Sequence, residues 1–214
     1  LAMKNLAILG AVALTVASVS ASAAPTVSFA GGSGTTASGT TVFENFDSYA
    51  AGSLLPGGTN AYALNASSSM GARPAYGSTG NFGSVLGGGS WTTNFAATSL
   101  FSFVLGSLDT YNSLTLHFAD STSITYAGGQ IINDLSFPSG NQISGFTNGV
   151  VTYNTHGGPA IVGATFTSGQ NSFEFDNLAR GGVPEPATWA LMILGFGAIG
   201  GTLRVRNRRL RYAH

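Results

Sequence analysis

Two acids, Glu174 and Asp176, stand two positions apart in the run Phe173-Glu174-Phe175-Asp176-Asn177-Leu178. On a strand that spacing projects both carboxylates from one face, because side chains alternate with a period of two. Paired carboxylates can hydrolyse a glycosidic bond, one as acid and the other as nucleophile. They can also join backbone carbonyls around calcium, which takes six to eight oxygen ligands. Trp91, after Gly87-Gly88-Gly89-Ser90, is a candidate glycan contact, as are Tyr49, Tyr62, Tyr76, Tyr111 and Tyr153. Such rings more often fill the core of a sandwich with a polar edge reaching water, and that reading is preferred for Trp91. His117 and His156 have no second histidine at metal-binding spacing, so structural or surface roles are expected. There is no Gly-x-Ser-x-Gly elbow, phosphate loop or His-Glu-x-x-His, and cysteine is absent, which excludes thiolate chemistry and disulfides.

These residues sit in a chain that reads as all-β. Short alternating runs are divided by Gly, Ser, Thr and Asn: Thr41–Phe46, Leu100–Leu105, Ser113–Phe118, Ser123–Tyr126, Val150–Asn154, Ile161–Phe166 and Ser172–Leu178. In Ser113-Leu114-Thr115-Leu116-His117-Phe118 the apolar residues fall on one face and the polar ones on the other. No segment of the body has a helical period. Seven such strands predict an antiparallel sandwich of jelly-roll type. The low-complexity stretches Gly31–Gly39 and Gly77–Gly89 are expected to be long surface loops.

The two ends have a different character. Lys4, the apolar run Leu6–Val19 and Ala21-Ser22-Ala23 read as a signal peptide over 3–23, cut by signal peptidase after Ala23, with Met3 as the start. At the other end, residues 187–203 are apolar or small throughout, and Arg204, Arg206, Arg208, Arg209 and Arg211 follow. The reading is a membrane helix whose basic end stays cytoplasmic, leaving the exported domain, residues 24–180, outside. Over 24–182 two arginines face seven acids, a net charge of −5, which excludes a nucleic-acid surface. Pro184 and Pro186 hold the segment before the helix extended, a shape suited to a protease active site.

The order Pro184-Glu185-Pro186, two residues, Trp189-Ala190, a glycine-bearing apolar run and an arginine cluster resembles the PEP-CTERM sorting signal, in its PEPxxWA variety. The resemblance covers Val183 to Arg211, with Leu191-Met192 where the family often has Met-Met. It implies a Gram-negative bacterium that makes exopolysaccharide, and recognition by exosortase, a membrane-embedded cysteine transpeptidase. That enzyme would remove the tail (the signal as a whole spanning 181–214) and pass the body toward the cell surface or extracellular matrix. Ser107-Leu108-Asp109-Thr110-Tyr111-Asn112 and Phe173–Leu178 look like segments in other PEP-CTERM bodies, a looser likeness that implies no activity. The Glu174/Asp176 spacing is similar to the Glu-x-Asp-x-x-Glu strand of jelly-roll endoglucanases, but Ala179 stands where the third acid belongs. Hydrolysis by that route fails without it. Resemblance to jelly-roll carbohydrate-binding modules, where first and last strands share calcium, makes Glu44, Asp47 and Asp176 the candidate ligands. The resulting expectation is a non-enzymatic structural or adhesive protein of the polysaccharide-bearing cell surface. A carbohydrate-binding module with a defined glycan ligand is the alternative, and a hydrolase comes third.

Overall fold

A computed structural model describes residues 24–181 and, apart from them, Phe196. The expected leader, the Pro-Glu-Pro motif with Trp189 and Ala190, and the terminal arginines lie outside the described residues, as does the expected membrane helix apart from Phe196. Among the described residues no helix is long and apolar enough to cross a membrane. The body is almost entirely strand: β1 (Thr26–Gly31), β2 (Thr40–Glu44), β3 (Thr59–Leu64), β4 (Phe82–Thr98), β5 (Leu100–Gly106), β6 (Asn112–Phe118), β7 (Ser123–Ala127), β8 (Gly149–Asn154), β9 (Ile161–Ser168) and β10 (Phe173–Gly181). One 3-10 turn, Gly128–Ile132, follows β7.

All pairings are antiparallel, and hydrogen bonds run through one curled sheet in the order β1-β8-β5-β10-β4-β9-β6-β7. β2 adds to β10 and β3 to β4. The curl comes from β4. Its first part, Gly83–Val85, pairs with β10, while its second part, Gly89–Asn94, pairs with β9. Between them Gly88 takes a φ of +70° and the strand turns.

Alternation dictates the packing. β6 buries Leu114, Leu116 and Phe118 and turns Ser113, Thr115 and His117 outward, as its sequence predicts. All seven expected runs are strands, with ends that coincide or shift by up to three residues. β1, β3 and the long β4 are additions. The expected loop Gly77–Gly89 is corrected: from Phe82 onward it is strand, and Phe82 and Val85 are fully buried. Gly88 marks the turn within β4, whereas Gly83 marks close packing. A Cβ on Gly83 would come within 2.5 Å of the Phe175 ring and 3.0 Å of the Phe46 ring.

The curl brings apolar faces together around a cluster of rings. Phe166 of β9 stacks on Phe175 of β10 with centroids 3.9 Å apart. Trp91 lies against the same two rings, at 5.5 Å from Phe175 and 5.9 Å from Phe166, and meets Phe46 edge-on at 5.4 Å. Tilted and edge-on contacts suit rings that carry quadrupoles and add to the gain from burial. At the far side Tyr126 of β7 touches Tyr153 of β8, whose hydroxyl donates to the Ile131 carbonyl at 2.8 Å.

Candidate functional site

β10 turns Phe173 and Phe175 into the ring cluster, so Glu174 and Asp176 face the opposite side together. That side would be open to water on a bare sheet. Here the connection from β3 to β4 folds across it: a Cβ on Gly106 would meet both Pro74 and the Glu174 side chain at 3.0 Å. Arg73 pins this cover, its guanidinium donating to the carbonyls of Asn65 at 2.5 Å and Gly80 at 2.8 Å while lying over the Phe82 ring. Glu174 is therefore only 2% exposed and Asp176 fully buried.

The two acids have separate surroundings. Glu174 Oε1 accepts from the Ala72 N–H at 3.0 Å and from the Ser172 hydroxyl, and Oε2 accepts from Ser107 Oγ at 2.9 Å. Burial pushes its carboxyl up despite those three donors. A side chain at position 71 would collide with Ser84 Oγ at 2.5 Å and Glu174 Oε1 at 3.0 Å, so glycine there admits the Ala72 N–H. Asp176 Oδ1 accepts from the Asn177 N–H at 2.7 Å, while Oδ2 is buried with no hydrogen-bond partner. Burial drives the Asp176 carboxyl up to about 7; Asp47 adds to the rise, and Ser78, the Asn177 N–H and Arg73 oppose it.

The expected calcium ligands are not brought together as a set. Glu44 is turned to its own loop, accepting from the Phe46 N–H at 2.7 Å and the Tyr49 hydroxyl at 3.0 Å. Asp47 accepts from the Asn81 N–H at 2.6 Å and the Asn45 amide at 2.9 Å. Among the described residues no three His, Asp or Glu side chains are grouped to hold a metal ion. The physical reason is that Glu44 is used within its own turn, while Asp47 ties its loop to Asn81, 34 positions away. Trp91 is corrected as a glycan contact: it is 3% exposed, stacked in the core, and its Nε1 donates to the Pro56 carbonyl at 3.2 Å. His117 and His156 each bond a threonine hydroxyl, Thr165 at 2.8 Å and Thr26 at 2.7 Å.

What sequence reasoning missed is a polar cleft of about 470 Å³ on the Glu174 side. Glu174 and Asp109 line it with Tyr111, Asn171, Gln142 and Ser69. Asp109 Oδ1 accepts from Ser139 Oγ at 2.9 Å. The Tyr111 hydroxyl lies 2.7 Å from both Asp109 Oδ2 and the Asn171 carbonyl oxygen. A phenol has one proton, so one of these two acceptors goes without it. Burial and the neighbouring Asp109 carboxylate push the Tyr111 hydroxyl well above its usual range. The signal was present in part. Ser107–Asn112 and Phe173–Leu178, both singled out in the sequence, meet here through the Ser107–Glu174 bond, and Asn112 donates to the Ser172 carbonyl at 3.0 Å.

Compared with known families, residues 182–209 match the PEP-CTERM protein-sorting motif. The chain therefore carries a sorting signal that implies exosortase as processing partner and an extracellular or surface destination. No curated protein matches the chain.

Proposed function

We propose that the chain is a non-enzymatic structural or adhesive protein of the cell-surface polysaccharide matrix, delivered by its tail. Signal peptidase removes 3–23. Residues 187–203 hold the chain briefly in the inner membrane with Arg204 to Arg211 cytoplasmic, and exosortase then releases the body. One observation carries this reading: the sorting motif begins at residue 182, directly after Gly181 ends β10. The described strands and the matched motif adjoin without overlapping. Jelly-roll architecture is the matching fold reading, supported by the strand orders β2-β10-β5-β8 and β4-β9-β6-β7 on the two sides of the curl. Two features favour binding over catalysis. The Glu174 carboxylate is held by three protein donors, and Ala179, at the place of a third acid, is buried.

The tail should be absent from the mature surface protein. A plain anchor tolerates Glu185→Gln or Pro184→Ala, since neither residue helps to span a bilayer; a transpeptidase substrate does not. Mass spectrometry of surface material from the native host, with and without its exosortase, makes the comparison. The expected result is loss of peptides from Leu191 to Arg204 in the host, with retention in the exosortase-deficient strain and in both variants. Surface protein that keeps those peptides in the unmodified host would reduce the tail to an anchor.

A specific glycan ligand is the second reading. Buried Trp91 offers it no platform, and it passes to the polar cleft.

A further inference from the structure

The start of β1 and the end of β10 lie at one pole of the described body, and the cleft at the other. Thr26, Asn154 and Leu100 share one rung of the sheet, and Phe101 pairs with Arg180, so β1 begins and β10 ends at the same pole. Glu174 pairs with Gly106, seven residues back along β10 from Gly181, on the order of 20 Å away. The cleft therefore lies at the pole away from Gly181, the described residue that adjoins the sorting motif.

The cleft's lining selects among ligand chemistries. Among the described residues no Lys, Arg or His lines it, and its charged groups are Asp109 and Glu174. Uronates, sulfated sugars and phosphates would meet only like charge there. An ammonium or metal ion needs acceptors alone, whereas this wall mixes both kinds of group. Ser69 and Tyr111 hydroxyls donate or accept, the Gln142 amide does both, and the carboxylates accept. Ligand hydroxyls need that alternation, since each donates once and accepts twice. The single proton of Tyr111 serves one of its two close acceptors, so either Asp109 Oδ2 or the Asn171 carbonyl is left to accept from an incoming hydroxyl. The volume of about 470 Å³ lies within the range of small-ligand sites, roughly 300–1,000 Å³.

We propose that this distal cleft binds an uncharged saccharide unit through its hydroxyls, with Tyr111, Gln142 and Asp109 as the recognising groups. The assignment deepens the matrix reading and rests on it only for the ligand's source.

The test is titration calorimetry of the full chain in a detergent without a sugar headgroup. The probes are neutral hexose and deoxyhexose oligosaccharides, with oligogalacturonate as the anionic counterpart. Binding of at least one neutral probe, undetectable oligogalacturonate binding and about tenfold weaker affinity in Gln142→Ala are expected. Gln142 is exposed, so that variant keeps its melting temperature; Tyr111→Phe gives a second loss of similar size. Preference for the uronate, unchanged affinity in both variants, or no binding by the folded chain overturns the proposal. A chain that binds neutral probes yet keeps its tail in the host leaves the cleft assignment standing and removes the sorting reading alone.

Discussion

Replacing Phe175 with alanine is expected to cost about 3–5 kcal/mol, the range for truncating a buried phenylalanine. The ring is fully buried and touches Phe166, Trp91, Phe46 and Phe173, with centroids 3.9 to 5.7 Å away. It joins β10 to β9 and to the second half of β4, so its loss opens the seam between the two sides of the curled sheet. For a domain of this size the melting temperature should fall by roughly 10 °C. Phe146→Ala supplies the control, because that ring is 68% exposed and should change little. Equal effects of the two substitutions in calorimetry would mean that the ring cluster does not hold the faces together.

The second large effect concerns pH, and its sign is the reverse of the usual carboxylate case. Asp176 has a folded pKa of about 7 against an ordinary value of 3.8. Between these values the folded state holds a proton that the unfolded state has released, so stability falls as pH rises. Its contribution is complete below about pH 4, is lost at up to about 1.4 kcal/mol per pH unit, and is gone above about pH 7. Glu174, also raised by burial, acts in the same direction. The groups facing Asp176 are Asp47, Arg73, Ser78 and the Asn177 N–H. Urea denaturation should therefore find the protein more stable at pH 5 than at pH 8. Asp176→Asn should be shallower across that window and more stable than the parent at pH 8. A parent that gains stability toward pH 8, or a variant with an unchanged slope, contradicts the account.

Much of the strand pattern was legible because alternation is a local property. β6 could be read residue by residue from Ser113 to Phe118. β4 could not, because Gly83 leaves room for the rings of Phe46 and Phe175, which come from elsewhere in the chain. Composition marked Gly77–Gly89 as loop; that holds as far as Asn81, and only the packed rings explain the strand from Phe82 onward. The acids divide in the same way. The shared face of Glu174 and Asp176 follows from their spacing, whereas their burial depends on the crossing segment held by Arg73. Asp109 and Tyr111 were missed as a site because their partners, Ser139 and Asn171, lie 30 and 60 positions away.

β10 is the last described strand in chain order, yet it lies inside the sheet, between β5 and the first part of β4, with β2 on its far end. Without it β2 has no strand partner and the seam cannot close. The domain therefore completes only when the chain as far as Gly181 is available, and every earlier segment waits on the one that adjoins the sorting motif. Limited proteolysis provides the check: a chain ending at Gln170 should be degraded rapidly, whereas one extending through Gly181 should resist. Equal resistance of the two chains would show that the fold closes before its last strand arrives.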